Sequence, residues 1–334
     1  MGIKNYKSGM TFEQFRATDQ AARMYVEAAI KSNGNRQKMN VELGNAIASL
    51  DIADVEKFDV NEDDFTPKKI IDAIQLALDE DQVLRHMKIV FNIEGGALGI
   101  ESAPNAVGAK GHKSLATKTV QQTTLVEHDI IPKAIYKLQR LDHNTFLKGG
   151  ALVEWVLSEL PAYVAERIGQ AVLAGGVTNE DGTAFTAITP IIGDSLAVEK
   201  DLTANYNGEE LRGAIISAAA QVKGADKTLW VSPAAYEKLA QAGDQVATAF
   251  LLGQYNLGAT NIEVTDLVPE TAAFVLLNTS QALPAYFLGM TGSGIETLSD
   301  FVITENAQYI ESRSYVAGKL RKYHGAAYGK VAAE

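Results

Sequence analysis

Apolar residues recur every fourth position in the middle of the chain, and this pattern predicts a long helix over residues 151–174. Such a helix would span roughly 36 Å. Glycine pairs at 149–150 and 175–176 mark its start and end. Pro161 removes one helical hydrogen bond and predicts a kink or a restart. The repeating apolar positions are Leu152, Val156, Leu160, Val164, Ile168 and Val172.

A mixed α and β pattern follows the helix. The stretch from Asn179 to Gly182 predicts a tight turn, because Asn, Asp and Gly tolerate left-handed backbone. Beyond it we expect a helix over 207–222, and a second helix capped by Ser232 with Pro233 in its first turn. The lobe is about 100 residues, an ordinary domain size. Its predicted strands are 228–231, 262–267, 273–277 and 285–290.

Alternating patterns before the helix predict an extended hairpin. Apolar residues alternate with polar ones over 87–94, and residues 115–131 are rich in Thr, Val and Ile. Between the two predicted strands, residues 95–113 are rich in glycine and predict a long loop. The hairpin would pack on nothing in its own subunit, so a neighbouring copy would have to cover its edges. The alternative is a flexible surface hairpin.

The last part of the chain also alternates. Residues 309–316 predict a long strand or hairpin within 296–331. Because the second lobe is otherwise complete, we expect these strands to pack beside the long helix. The domain built on the helix would then be discontinuous, with the second lobe inserted into it.

The first 66 residues predict an arm of helices and a linker. Thr11 can cap a helix that begins at Phe12, and a weaker helix covers 38–50. Residues 51–64 hold seven acidic side chains against one lysine, and another helix starts at Pro67. The acidic stretch is interpreted as a solvated linker or helix face; the alternative is a strip that docks on a basic partner.

Composition narrows the function. The chain has 334 residues and a net charge of −11. It contains no cysteine, so disulfides and thiolate metal sites are excluded. This composition fits a reducing cytoplasm. We expect neither a signal peptide nor a membrane span, since no apolar run is long enough. Tight binding of nucleic acid usually needs a basic balance, and the basic run at 319–322 is equally well explained as ordinary surface charge.

Catalytic motifs are missing from the sequence. It contains no phosphate-binding loop, no nucleophile elbow and no zinc-protease histidine pair. His128 and Asp129 are adjacent, so on a strand they would point to opposite faces. Glu159 and Glu166 could share a site across two helical turns, but we interpret them as solvated or interface carboxylates. We therefore predict no catalytic residues, no cofactor and no metal.

The order of these features resembles the major capsid proteins of tailed bacteriophages, which have the HK97-like fold. The resemblance covers roughly residues 83–331. Each motif is weak alone, and their order and spacing carry the match. The matching stretches are 117–125, 144–174, 176–183, 229–239, and 258–269 before the strand at 273–277.

The resemblance implies an α+β fold with four named parts. These are an N-terminal arm, an extended hairpin called the E-loop, a P-domain that carries the long helix, and an inserted α/β A-domain. The arm would be 1–66, the E-loop 88–124, the A-domain 191–299, and the P-domain 67–87, 125–190 and 300–334.

The resemblance also implies a function. The chain would assemble into pentamers and hexamers of an icosahedral shell around double-stranded DNA, which it would touch weakly. It would form part of a virion assembled in the bacterial cytoplasm, with a scaffolding protein and a portal as further partners. Candidate contacts between subunits are charged residues of the hairpin and the helix: Lys110, Lys113, Lys118, Glu154, Glu159 and Glu166.

Two alternatives remain open at this point. An encapsulin-type nanocompartment shell protein would share the fold, although such chains usually lack a long N-terminal segment. An α/β enzyme with its site in the inserted lobe would belong to a different class. Neither alternative is carried by a specific motif.

Overall fold

A computed structural model gives the fold. It describes residues 76–103, 125–142, 150–224, 226–241, 261–282, 284–292, 294–302, 305 and 307–333, with the isolated positions 24, 28 and 41. The predicted N-terminal arm therefore lies outside the described residues, except that these three positions are helical. Residues 76–80 are also helical, within the helix predicted from Pro67.

The chain has three long helices and twelve strands in its described part. The helices are α1 (Gly150–Leu173), α2 (Gly208–Gln221) and α3 (Pro233–Gln241). The strands are β1 (Ile89–Val90), β2 (Gly96–Glu101), β3 (Leu125–Ile130), β4 (Lys133–Asp142), β5 (Val198–Leu202), β6 (Lys227–Val231), β7 (Asn261–Val264), β8 (Ala272–Asn278), β9 (Tyr286–Met290), β10 (Glu296–Val302), β11 (Ala307–Leu320) and β12 (Ala326–Val331).

The long helix forms as predicted. Helix α1 matches the predicted 151–174 to within one residue at each end. In its described part, Leu160, Val164, Ile168 and Val172 are all buried, which is the four-residue apolar stripe seen in the sequence. The helix does not restart at Pro161, which lies inside it. One missing N–H removes a single backbone bond, and the buried stripe on both sides holds the turns together.

The chain divides into two compact units. The first unit comprises Met1–Asp81, Ala134–Ala165 and Gly294–Ser314. In it, β10 pairs antiparallel with the first half of β11, from Glu296 opposite Arg313 to Val302 opposite Ala307. This confirms the hairpin predicted at the end of the chain. The hydroxyl oxygens of Thr297 and Ser312 lie 3.0 Å apart across this ladder.

The second unit comprises Gln82–Lys133, Glu166–Ser293 and Tyr315–Glu334. Its main sheet has the strand order β5-β12-β8-β6-β7, with β5–β12 and β6–β7 parallel and the other pairs antiparallel. Every residue of β6 and β8 is buried. Such continuous burial means that both faces of the sheet are covered. Helices α2 and α3 cover one face, and Leu211, Ile215 and Leu239 belong to that core.

The helices of this sheet begin where the sequence predicts. The Asn207 side chain accepts a hydrogen bond from the Glu210 N–H at 2.9 Å and caps α2. The Ser232 Oγ accepts one from the Ala235 N–H at 3.2 Å and caps α3. The predicted cap at Ser232 and the predicted start of a helix at Asn207 are therefore confirmed.

Strand β12 requires a correction to the expected boundaries. We predicted residues 300–334 as one part with the long helix, but β12 lies inside the α/β sheet, between β5 and β8. Tyr328, for example, is opposite both Glu199 and Val275. The strand is apolar and buried, and a short apolar strand does not reveal by its local pattern which sheet it joins.

Strand β9 requires the opposite correction. We predicted residues 285–290 as a strand of the inserted lobe, but β9 pairs with the second half of β11, where Tyr286 is opposite Leu320. The buried Tyr286 hydroxyl donates to the Thr189 carbonyl at 2.6 Å. This hydrogen bond satisfies its polar atom and fixes the strand in a second sheet.

Candidate functional site

The predicted hairpin exists, and β3 lies within the predicted second strand, but the first strand lies elsewhere than predicted. Strands β2 and β3 pair antiparallel over six residues, from Gly96 opposite Ile130 to Glu101 opposite Leu125. Residues 96–101 were predicted as part of a glycine-rich loop, which is wrong. Leu98 and Ile100 alternate with small residues, so only two apolar positions carried the strand pattern. Residues 104–124 lie outside the described residues.

The segment predicted as the first strand of the hairpin, 87–94, has another role. Only Ile89 and Val90 form a strand, and they pair parallel with Leu288 and Gly289 of β9. A Cβ at Gly289 would come within 2.4 Å of Ile93 Cδ1 and 3.0 Å of the Phe287 ring, so glycine lets this segment lie close to β9. This segment therefore ties the entry of the hairpin to its own subunit.

The hairpin also touches its own subunit through β2, which corrects the expectation that it packs on nothing. Leu98 and Ile100 are buried. The Glu101 N–H donates to the Arg321 carbonyl at 2.8 Å, and the Glu101 carboxylate lies 3.8 Å from Lys223 Nζ. One strand of the hairpin is thus anchored.

The other strand of the hairpin is exposed. All residues of β3 are exposed except Ile130, which is half-buried. Three large apolar side chains on and just after it face water: Leu125 is 63% exposed, Val126 52% and Ile131 68%. Leu125 and Val126 project to opposite faces of β3, and Ile131 lies five residues beyond Val126, so these apolar side chains are spread along both faces of the strand. Large apolar side chains exposed along one strand indicate a surface that another chain covers. We call these three residues the β3 apolar cluster.

A group of contacts that sequence reasoning missed anchors the chain before the hairpin. The Trp230 indole N–H donates to the Gln82 carbonyl at 2.9 Å. His86 Nε2 lies 2.8 Å from Glu263 Oε1, and Arg85 forms an ion pair with the same carboxylate. The His86 ring also packs edge-on against Trp230. These partners are 148 and 177 residues apart, so no local pattern could reveal them.

The turn after the long helix forms as predicted. The Asn179 N–H donates to the Thr183 carbonyl at 2.8 Å, and Gly182 has a φ of 80°. The Asp181 carboxylate accepts from both the hydroxyl and the N–H of Thr183, and these hydrogen bonds lower its pKa. The turn is therefore rigid, and its carboxylate is already used by the backbone.

The predicted contact residues have different outcomes. Lys110, Lys113 and Lys118 lie outside the described residues. Glu154 lies in α1, but its side chain is not among those described. Glu159 and Glu166 are both exposed on α1. Their role in contacts between subunits stays a prediction.

His128 and Asp129 do not form a catalytic pair. His128 and Asp129 are consecutive on β3, opposite Leu98 and Ala97, so they project to opposite faces. No three His, Asp or Glu side chains in the described part of the chain could hold a metal ion. Likewise, none of the described helices is both long enough and apolar enough to cross a membrane.

Comparison with known proteins identifies the fold. No protein-family model and no curated protein matches the sequence. Solved structures do match, and the three described next each have a TM-score of 0.53. They include a virus-like particle from Pyrococcus furiosus, 11% identical, covering 79% of this chain and 98% of that one. A chain of Gordonia phage Cozz is 13% identical, and the match covers 75% of this chain and 86% of that one. A chain of the satellite phage P4 procapsid is 8% identical, and the match covers 80% of this chain and 99% of that one.

These identities are low, so the likeness is one of fold and not of sequence. It extends over three quarters or more of this chain and nearly the whole of the matched chains. A further match, 11% identical and with a TM-score of 0.53, is titled as the capsid of a native GTA particle. The chain has the α+β HK97-like capsid fold.

Proposed function

We propose that this chain is a structural protein that assembles with copies of itself into a closed icosahedral shell. Its pentamers and hexamers would form the capsid of a tailed phage and enclose double-stranded DNA. The fold supports the proposal, because the similar structures are titled as a virus-like particle and a procapsid. The proposed role is structural and not enzymatic.

The β3 apolar cluster is the observation that carries the proposal. Three large apolar side chains face water on and just after β3, whose partner strand β2 is anchored to its own subunit at Glu101. Fully burying one such side chain contributes ~1.5–3 kcal/mol. In a shell, every subunit makes the same contacts with its neighbours. The free energy gained by burying one side chain is therefore gained again in every subunit. A second copy is the occupant that we assign to this cluster.

The named parts of the fold follow as proposals. The hairpin that contains β2 and β3 would be the E-loop, α1 and the β10–β11 hairpin the P-domain, and the sheet with α2 and α3 the A-domain. Lys110, Lys113 and Lys118 would pair with Glu154, Glu159 or Glu166 of a neighbouring copy. A scaffolding protein and a portal would be further partners, and the chain would reside in the virion after assembly in the host cytoplasm.

A nanocompartment shell is the second candidate. It is favoured by the likeness to the virus-like particle from Pyrococcus furiosus, which covers 98% of that chain. The two candidates differ in content, since a phage shell encloses DNA and a nanocompartment encloses protein. Nuclease-protected DNA in purified particles would support the first, and a protein cargo without DNA the second.

Polar substitution of the β3 apolar cluster tests the proposal. In Leu125→Ser/Ile131→Ser we expect a subunit whose free energy of unfolding stays within about 0.5 kcal/mol of the original, because both side chains are already exposed. Assembly should need on the order of tenfold more protein or fail, since each lost contact recurs in every subunit. Analytical ultracentrifugation measures assembly, and urea unfolding measures stability.

Ile216→Ser is the matched control. Ile216 is an exposed apolar residue on α2, in the same compact unit but away from the hairpin. The Ile216→Ser variant should assemble at the same protein concentration as the original protein. Normal particles from the double variant, or an equal loss of assembly in the control, would contradict the assignment of the β3 apolar cluster to a contact between copies.

A further inference from the structure

Positive side chains converge at the turn between β11 and β12. Arg321, Lys322 and His324 lie on this turn. Lys223 follows α2, and its N–H donates to the His324 carbonyl at 3.1 Å. Lys200, on β5, is close enough for its charge to act on His324. We call these five residues the basic turn cluster.

The backbone of this turn is held by several separate segments. The Arg321 N–H donates to the Ala285 carbonyl at 2.7 Å, and the Arg321 carbonyl accepts from the Glu101 N–H at 2.8 Å. The His324 N–H donates to the Leu196 carbonyl at 2.8 Å. The backbone of the turn is therefore fixed before any ligand arrives.

His324 is strained by this arrangement. Its φ is 56°, in the left-handed region that residues with a side chain rarely adopt. Such a conformation costs of order 1–3 kcal/mol and persists where the surroundings over-determine it. Gly325 follows, where a Cβ would come within 2.6 Å of the Ala285 side chain. Strain of this kind clusters at binding sites.

The charges of this cluster come from its lysines and Arg321, and these charges repel one another, whereas the lowered pKa of His324 leaves its ring neutral at pH 7. Burial lowers the pKa of His324, and the charges of Lys223 and Lys200 lower it further. Burial also lowers the pKa of Lys322; Glu101 opposes this, while Arg321 and Lys223 add to it. An anion bound at the turn would relieve this repulsion.

Glu101 and an aromatic pair complete the surroundings. The Glu101 carboxylate lies 3.8 Å from Lys223 Nζ. This ion pair is weak, because about half of the Lys223 side chain is exposed to water. The Tyr323 and His324 rings are stacked at 3.9 Å, and Lys223 Nζ lies 5.8 Å from the Tyr323 ring centroid. A weakly held lysine beside a flat ring pair can exchange its carboxylate for another anion.

We propose that the basic turn cluster binds phosphate groups, with the backbone of nucleic acid as their source. A duplex carries one negative charge per roughly 1.7 Å of its axis, so it can engage several fixed cations at once, whereas a carboxylate side chain supplies one charge. Such contacts position a backbone and carry no sequence preference. This binding does not depend on shell assembly, so the two proposals can fail separately.

Fluorescence anisotropy with the full-length protein and a labelled 20-base-pair duplex tests the site. In Lys200→Ala/Lys223→Ala we expect binding at low salt to weaken on the order of tenfold. The slope of log affinity against log salt should become shallower by about 1.8, because about 0.9 is lost per phosphate contact. Glu101→Gln should bind several-fold more tightly, because it removes the carboxylate that competes for Lys223. A gain in affinity cannot arise from misfolding.

Lys137→Ala/Lys238→Ala is the matched control, with the same change in net charge. Both lysines contact aromatic rings elsewhere, Tyr163 and Tyr206. This control variant should change the affinity for the duplex by no more than about twofold. The phosphate groups could come from the free ion or from the nucleic-acid backbone. Measuring how strongly sodium phosphate and sodium chloride, at equal ionic strength, compete with the duplex distinguishes these two sources. Stronger competition by phosphate means that the free ion fits the site, and equal competition means that only the polymer does.

Three outcomes would overturn the proposal. Equal losses in the two double variants would mean that general charge governs binding. Unchanged DNA binding with altered self-association in Lys200→Ala/Lys223→Ala would assign the cluster to carboxylates of a second copy. Glu101→Gln with unchanged or weaker affinity would remove the competing-carboxylate argument.

Discussion

Trp230→Ala is expected to destabilise the protein by about 3–5 kcal/mol, the usual cost of removing a large buried aromatic side chain. Trp230 lies on β6 and is fully buried. Its indole N–H also satisfies the Gln82 carbonyl, and its ring packs against His86. The change therefore opens a cavity and also removes the anchor of the segment that leads into the hairpin. Urea unfolding gives the free energy, and limited proteolysis near residue 82 reports the loss of the anchor.

Trp230→Phe separates the two effects. It keeps much of the apolar volume and removes only the indole donor, so it should cost less than the alanine variant while still increasing cleavage near residue 82. A cost below about 1 kcal/mol for Trp230→Ala would contradict the burial of this residue. Unchanged cleavage in both variants would contradict its role as an anchor.

Gly329→Val is the second change with a large expected effect. A Cβ at Gly329 would lie 2.5 Å from Phe274 Cε1 and 3.2 Å from Leu202 Cδ1. Phe274 is fully buried and cannot swing aside. We expect a loss of about 1–3 kcal/mol or more from overpacking, even though valine favours strands. Thermal unfolding followed by circular dichroism measures it.

Gly213→Ala is the control for this prediction. Gly213 lies inside α2, and a Cβ there meets none of the described residues within 4 Å. Alanine should therefore stabilise the protein by about 0.5–1 kcal/mol, because glycine is unfavourable inside a helix. If Gly329→Val were as stable as the original protein, β12 would not lie between β5 and β8.

Local patterns predicted the elements whose signals are contained within a few turns or residues. The four-residue repeat predicted α1, and the side chains of Asn207 and Ser232 predicted the starts of α2 and α3. Strands β6 and β8 are continuous apolar runs and were also predicted. In these cases the periodicity or the cap is a property of neighbouring residues, so the sequence alone carries it.

The sheet memberships could not be predicted in the same way. Strand β12 joins β5 and β8, and β9 joins β11, through pairings between distant segments. Short apolar strands carry no mark of their partners. Strand β2 was missed for a different reason, because Gly96 and Gly99 hid the alternation of Leu98 and Ile100.

The candidate surfaces were predicted in part. The exposed strand of the hairpin follows from its Thr- and Val-rich pattern, but its Leu125, Val126 and Ile131 cluster emerges only with the register of β3. The basic turn cluster combines a short run at the end of the chain with Lys200, Lys223 and Glu101, which folding brings together. The carboxylate that competes for Lys223 was invisible in the sequence because 122 positions separate the two residues (223 minus 101).

Electron microscopy of the purified full-length protein tests the central claim most directly. If the chain is a shell protein, it should form closed, uniform particles of icosahedral symmetry built from pentamers and hexamers. Leu125→Ser/Ile131→Ser should remain unassembled under the same conditions. Monomers or small oligomers of the original protein under every condition, with no capsomers or shells, would contradict the account.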